Sequence, residues 1–467
     1  MPDSIFPALI AIATVALAIP VARLISATVA WGPAGPIGLI AASPLVPHVT
    51  VFASLSLDDL LPIVGAVLLV VQLPLPKVTG SRLLRFMLAA ILAATVARVA
   101  SAFVDPGSLE GVFLSLLQAI ARPAMLVALA AYVAIAGPAE QRYRFVAVAI
   151  ALVGTFEALF GLLAFVVPLP GGIGMQVAKP LESMYGICRG RITGTLGLSP
   201  NHMGAVFVLT LPITLGLGMR SPRWTGWLWV AAGAAQGAAI VLTFTRSSIL
   251  VAVAACVIFA LRERRLALGA GLVGGAALLV LLITTVGCGG GSTGSRPLSG
   301  VTALGTRFED GNDRLALWYA AAHIMVDNPV AGIGLGRLPE FVAAHATSFG
   351  ETPFGLATNS AHNTILLAGA ETGVLGAVAT LALNLALAAA ALGLIWQRRR
   401  RRDFVLSAAG FSLGGYLVQG MVNNLFTVPA TSVLLALLVG AFVAGWERPP
   451  GNSDELTYTR ASSARGS

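Results

Sequence analysis

The sequence predicts an all-α fold: a polytopic membrane protein of about 12 transmembrane helices, with one long outward-facing loop containing short helices. Three observations carry this. Of the 467 residues, 57% are hydrophobic and only 10% charged, where a soluble domain carries about 25% charged residues, and the mean hydropathy is +0.87. Apolar runs of roughly 17–25 residues recur, each long enough to cross a bilayer as a helix. Residues 288–362 then form the one long polar stretch between apolar runs.

In chain order, spans are expected near 4–22, 27–45, 58–75, 84–104, 112–136, 144–168, 201–219, 225–245, 247–262, 265–287, 370–396, 404–422 and 428–446. Pro20, Pro33 and Pro36 interrupt the first two, so the count is 12 or 13. The chain thus divides into an N-terminal transmembrane bundle (1–287), the loop (288–362), C-terminal transmembrane helices (363–446) and a tail (447–467). The tail is polar and rich in Ser, Thr and Arg, a composition that predicts disorder.

The formal net charge of +9 invites a nucleic-acid partner, but the position of the charges argues against one. Arg398 to Arg402 sit between two expected spans, and further basic clusters lie at Lys77/Arg82/Arg85, Arg142/Arg144, Arg220/Arg223 and Arg262/Arg264/Arg265. Under the positive-inside rule each marks a cytoplasmic connection. The remaining connections, 46–57, 105–111, 169–200 and 288–362, alternate with these and face outward. The tail is cytoplasmic by the same alternation. No cleavable signal peptide is expected, because Asp3 precedes the first apolar run and Arg23 follows it. The N-terminus faces out if both N-terminal segments span and in if one does.

Of three cysteines, Cys256 falls inside a span and reads as a small packing residue. Cys188 and Cys288 both fall in outward loops, where an oxidising compartment allows a disulfide between them.

The polar residues that could do chemistry concentrate on the outward side. His48, His202, His323, His345 and His362 all lie in or beside outward segments, and imidazole is the side chain best suited to proton transfer near neutral pH. His362 closes the polar stretch before the chain re-enters the membrane and is followed by Asn363. A side chain there stands at the mouth of the bundle. Arginines form the second constellation: Arg189 and Arg191 precede the span at 201, and Arg246 lies where two spans meet. The loop adds Arg296, Arg307, Arg314 and Arg337. An arginine near mid-membrane costs about 2.5–3.5 kcal/mol on insertion scales, so one kept there points to an anionic partner. Guanidinium makes bidentate, pH-independent hydrogen bonds to phosphate oxygens.

Within the loop, Asn312-Asp313 can cap a helix that runs to about Asp327, where Asn328-Pro329 would end it. Leu315, Trp318, Ala322 and Met325 repeat at helical spacing and predict its apolar face. Gly332-Ile-Gly334-Leu-Gly336 follows this helix rather than a strand, which predicts a tight turn and excludes a nucleotide fingerprint. His323, His345 and His362 lack any short-spaced metal-ligand pair, so no metal is expected. The acid pair Glu309-Asp310 reads as solvated.

Taken in order, these segments resemble the O-antigen ligase and O-antigen polymerase superfamily. The matching pieces are Arg191-Ile-Thr-Gly194 with Asn201, then Leu242-Thr-Phe-Thr-Arg246-Ser247, then Arg314-Leu-Ala-Leu-Trp318 continuing through Asp327-Asn-Pro329 to Gly336. Last come His362-Asn363 and Glu371-Thr-Gly373-Val-Leu-Gly376; together they cover roughly 185–380. Thr245 stands where a serine is common in the family. The resemblance implies a membrane glycosyltransferase without cofactor, metal or nucleotide. It would move a glycan from undecaprenyl pyrophosphate to an acceptor at the periplasmic face of the bacterial inner membrane. By the same resemblance Arg191, Arg246 and Arg314 would engage the pyrophosphate and His362 would assist the acceptor hydroxyl; His362, Arg314 and Arg191 are thus the expected catalytic residues, and Arg246, Arg189, Asn201, His202 and Asn363 the expected substrate-binding ones.

Transfer fits the residues without the family. Breaking a glycosyl–phosphate bond builds charge on the leaving pyrophosphate, which fixed arginines can stabilise. One base then suffices for a single inverting displacement. A ligase with a lipid A-core acceptor is the preferred reading. A polymerase joining lipid-linked repeat units is the alternative, and protein glycosylation a rarer variant. A lipid-linked sugar transporter would explain the helices and arginines but not the loop ending in His362, and the sequence shows no internal repeat.

Overall fold

The computed structural model describes residues 5–46, 50–52, 55–73, 82–104, 109–136, 139–167, 173–176, 190–195, 199–262, 311–346, 361–401, 404–425 and 428–443, with Leu169 and Gly274. Arg189, Cys188, Cys288, Arg296, Arg307, His48, Glu309-Asp310, the tail and nearly all of the expected span at 265–287 lie outside the described residues.

An apolar chain that must satisfy its own backbone N–H and C=O groups does so most simply as helix. The first half runs α1 (Ile5–Val29), α2 (Ala34–Ala42), α3 (Leu57–Gln72), α4 (Arg82–Ser101), α5 (Leu109–Ile135) and α6 (Ala139–Val166). The second runs α7 (Pro200–Arg220), α8 (Arg223–Leu242), α9 (Arg246–Arg262), α10 (Gly311–Asp327), α11 (Leu338–Ala346), α12 (Thr364–Arg401), α13 (Phe404–Gly420) and α14 (Pro429–Leu438), which continues as a π turn to Val443. Among the described residues, five helices are long and apolar enough to cross a membrane, and seven shorter apolar helices accompany them. This is consistent with an all-α membrane protein.

The ends of the fold depart from expectation in instructive ways. Pro20 lies inside a continuous α1 rather than ending it; helices in an apolar environment tolerate proline when neighbours re-satisfy the freed carbonyl. The second expected span shrinks to the apolar helix Ala34–Leu45, about 18 Å long at ~1.5 Å per residue and short of a ~30 Å hydrocarbon layer. Two short antiparallel hairpins join the helices: β1 (Thr50–Phe52) with β2 (Leu55–Ser56), and β3 (Gly174–Gln176) with β4 (Arg191–Gly194).

At the centre of the bundle stands α7, 83% of whose apolar window is buried. It packs on α6, α8, α9, α13 and α14. Hydrocarbon offers helices little drive to associate, so close backbone approach and buried hydrogen bonds do that work. Gln236 on α8 accepts from Thr210 Oγ1 at 2.9 Å and donates to Thr214 Oγ1 at 2.9 Å and to Thr155 Oγ1 at 3.3 Å. Ser412 on α13 donates to Leu209 O at 2.7 Å. Cys256 is buried in this main core, as a packing residue should be.

A second core joins α10 and α11 to α12 through Leu317, Ala321, Ile324, Ile333, Leu338 and Leu367. The packed face of α10 centres on Leu317, Ala320, Ala321 and Ile324; of the expected Leu315, Trp318, Ala322 and Met325, Met325 lies against Gly369 of α12 and the Trp318 indole nitrogen is buried, while Leu315 is 49% exposed. The helix is apolar nearly all round, so its periodicity did not single out the face that packs. Its end follows expectation: Asn328 donates from both backbone and side chain to Ile324 O.

The glycine turn after α10 interlocks with a break in α12. Gly373 has φ 75° and ψ −173°, a conformation that essentially only glycine adopts, and it interrupts the helix. Residues of the turn supply donors to the backbone around that break: Ile333 N–H bonds Ala370 O at 3.0 Å and Gly334 N–H bonds Glu371 O at 3.2 Å. In return Val374 N–H bonds Pro329 O at 2.8 Å. Gly332, Gly334 and Gly336 all have positive φ, as the expected tight turn requires, and a Cβ on Gly332 would run into the Glu371 backbone.

Candidate functional site

The site assembles where the N-termini of four helices meet. Ser199 caps α7, accepting from Asn201 N–H at 3.3 Å, with Pro200 in the first turn. Just before α9, Thr245 Oγ1 reaches Pro200 O and Asn201 Oδ1, each at 3.2 Å. Asn363 caps α12: its Oδ1 accepts from Ile365 and Leu366 N–H at 3.0 Å, and its Nδ2 donates to Met421 O at 3.1 Å. The first turn of α10 carries Arg314, whose charge acts on His362 immediately before α12. His362 and His202, in the first turn of α7, are also close enough to interact electrostatically. Each helix N-terminus carries roughly half a positive charge, so their meeting favours an anion.

Arg191 is held from three sides. Its Nε donates to Thr243 O at 2.8 Å, and one terminal nitrogen donates to Asn201 Oδ1 at 3.0 Å and Thr245 Oγ1 at 3.3 Å. It thereby braces the α8–α9 corner against the start of α7. The strand that carries it is clamped in turn. Ile192 is fully buried, and Glu157 on α6 accepts from Thr195 N–H at 2.9 Å and from the Thr195 hydroxyl. Arg246 opens α9, half-buried, placing a cation at the positive end of a helix dipole.

His362 sits at φ 50°, a left-handed conformation that non-glycine residues rarely adopt. Such strain persists only where the surroundings over-determine it, and it clusters at functional sites. Burial first, and the Arg314 charge second, push its pKa down to about 4. The imidazole is therefore neutral at pH 7 and able to accept a proton. Burial also lowers the Arg314 pKa.

Two buried nitrogens in this neighbourhood have no hydrogen-bond partner among the described residues: His202 Nδ1 and the indole Nε1 of Trp318, one helical turn beyond Arg314. An unpaired buried donor or acceptor costs about 1–3 kcal/mol, which a polar ligand would recover.

Of the residues singled out from sequence, the structure thus brings together Arg191, Asn201, His202, Arg246, Arg314, His362 and Asn363. Asn363 works there as a helix cap. His323 instead lies against Tyr319, rings tilted 45° and 4.1 Å apart, on the exposed face of α10, and His345 bonds Phe341 O and Asp327 near α11. Arg337 pairs with Glu340 at 2.8 Å. Sequence reasoning missed a wall of the site, the end of α13. There Gln419 Nε2 donates to Ser248 Oγ at 2.8 Å, Asn423 Nδ2 to Ser247 Oγ at 3.4 Å, and Thr364 Oγ1 to Gly420 O at 2.9 Å. The polar residues Gln419, Asn423 and Asn424 at the end of an apolar run were the available signal. Among the described residues no group of three or more His, Cys, Asp or Glu side chains is placed to hold a metal.

Residues 228–381 match the family model described as O-antigen ligase. The matched segment takes in Arg246, Arg314, His362 and the glycine turn, while Arg191, Asn201 and His202 precede it. The match supports the O-antigen ligase superfamily, and with it a glycosyltransferase-like membrane enzyme acting on lipid-linked glycans. No curated protein matches the chain.

Proposed function

We propose that this protein is an O-antigen ligase-like glycosyltransferase. It moves a glycan from undecaprenyl pyrophosphate to a lipid A-core acceptor at the periplasmic face of the inner membrane, with inversion and without a metal. The observation that carries this reading is the meeting of four helix N-termini around Arg191, Arg246, Arg314 and a strained, neutral His362. Fixed positive charge beside a neutral base is what transfer from a glycosyl pyrophosphate requires.

In the step proposed, the acceptor oxygen forms a bond to the anomeric carbon as the bond from that carbon to the pyrophosphate oxygen breaks. The bonding pair leaves with the pyrophosphate, and the acceptor's proton passes to His362. Arg314 and Arg246 stabilise the charge growing on the leaving group, and preorganised donors of this kind commonly supply the largest single part of catalysis. Arg191 acts at one remove, holding Asn201 and the α8–α9 corner in register. Arg314 also tunes the base. Its charge depresses the basicity of His362 in the free enzyme, and a bound pyrophosphate offsets that charge and restores basicity when the acceptor arrives.

The test pairs in-vitro transfer from a polyprenyl-pyrophosphate glycan to lipid A-core with glycan analysis of a strain lacking the protein. The reading expects transfer in the presence of a divalent-ion chelator and accumulation of lipid-linked polymer in the strain. Accumulation of single repeat units would instead make the acceptor another lipid-linked repeat.

A further inference from the structure

A cavity of about 250 Å³ lies beside α12, lined by α4, α5, α12 and α14. Thr372 and Thr380 line it further along α12 and Ser432 on α14, while Arg98, Thr364, Glu371 and Asn424 line it toward the start of α12. From there an apolar shaft runs past Ala94 and Ala131 to Leu84 and Leu387. On α4 alone, Leu84 to Arg98 is about 20 Å of helix at ~1.5 Å per residue. An apolar cavity of ~150 Å³ takes up benzene, so this one has room for about ten carbons of a chain, on the same scale. Charged side chains at one end of a largely apolar cavity have the form of a site for one chain of an anionic lipid.

None of Arg191, Arg246, Arg314 or His362 lines this cavity, so it is separate from the groups assigned to the donor pyrophosphate. Thr364 nevertheless follows His362 by two residues, at most about 7 Å of chain. A lipid seated in the shaft would therefore carry its head past the base that receives the acceptor's proton. At that end the Arg98 guanidinium stands with the acid Glu371. The Glu371 carboxylate lies under the influence of Arg98 and takes the Gly336 N–H at 3.0 Å.

Resting on the transferase reading above, we propose that this cavity seats an acyl chain of the phosphorylated acceptor lipid, with its anionic head at Arg98. The acceptor's head then lies at the start of α12, two residues along the chain from His362.

The experiment uses the full chain in nanodiscs, with Ala94→Phe and Ala131→Phe to fill the shaft and thermal unfolding to confirm that each variant folds. KM is measured for an acylated lipid A-core acceptor, for the same acceptor after deacylation, and for the donor. The wild type should favour the acylated acceptor about tenfold or more, and filling the shaft should bring that ratio toward one while donor KM holds. A rise in donor KM instead would assign the cavity to the prenyl chain, and no change in either would empty it of substrate; both overturn the proposal. A second arm needs no turnover: a diazirine-bearing acylated, phosphorylated glycolipid should label peptides of α4 and α5. Excess lipid A should compete with that labelling, and dioleoyl phosphatidylglycerol should not. Equal competition by the phospholipid, or absence of labelling, overturns the proposal even if transfer is never observed.

Discussion

His362 combines a left-handed backbone, burial and the Arg314 guanidinium in one place, and its replacement should be felt in catalysis before stability. General-base assistance contributes about 10²- to 10⁴-fold. His362→Ala should lose that much turnover while donor binding, measured separately, largely survives; full activity would move the base elsewhere. The pH profile carries its own sign. Transfer needs the neutral imidazole, so kcat/KM should hold above about pH 4 and fall below it as the ring protonates. Because kcat reports the complex, its acid limb should lie higher, the bound pyrophosphate having offset Arg314. Arg314→Gln should raise the free-enzyme limb. Lysine in place of Arg246 or Arg314 keeps the charge but loses the planar fork, and forfeiting a charge-assisted hydrogen bond worth ~1.5–3 kcal/mol predicts about a 10- to 100-fold loss. Arg191→Lys should cost at least as much, because one guanidinium spans three acceptors there; wild-type turnover would remove it from the site. These arginines and His362 were legible because each is a polar residue retained beside apolar spans. Glu157, Gln419 and the Trp318 indole were not. Gln419 meets Ser248 across 171 positions of sequence, which no local pattern reports.

The helices themselves were legible from composition, and their interruptions were not. The sequence reads 370–396 as one span, yet the helix there, the 38-residue α12, starts at Thr364 and breaks at Gly373, because the glycine turn after α10 needs the carbonyls of Ala370 and Glu371. Both partners, Gly332–Gly336 and Glu371-Thr-Gly373, stand out in the sequence; their docking does not. The β3–β4 hairpin escaped notice for the same reason, since Arg191 finds Gln176 across a long connection. The α12 break makes a sharp prediction about stability. Gly373→Ala forces an alanine into a conformation costing about 1–3 kcal/mol and drives its Cβ against Pro329 O. Thermal unfolding should show at least that loss. Gly414→Ala is the control: it sits inside α13 with nothing within 4 Å of a built Cβ, and alanine there should gain up to about 1 kcal/mol. Equal behaviour of the two variants would mean that the interlock between α10 and α12 carries no stability.

At the scale of the whole molecule, the candidate site and the basic clusters of the sequence fall at opposite ends of the same helices. Three of the four helices that start at the site end in arginine: α7 (Pro200–Arg220), α9 (Arg246–Arg262) and α12 (Thr364–Arg401). The start of α6 joins that far end, where Glu140 pairs with Arg220 at 3.2 Å. Positive charge retained on one side of a bilayer marks the cytoplasm, so the site is proposed to open on the opposite face, where a lipid-linked glycan would be presented. Two exposed side chains on the two sides make this measurable. Glu340 on α11 is 57% exposed and Glu140 on α6 is 82% exposed. In a background with Cys188 and Cys288 replaced, Glu340→Cys should react with an impermeant thiol reagent in intact spheroplasts, and Glu140→Cys only after lysis. Labelling of Glu140→Cys in intact cells with protection of Glu340→Cys would turn the molecule over. The arginines and His362 would then face the cytoplasm, away from any periplasmic acceptor, and the ligase reading would fall with the topology.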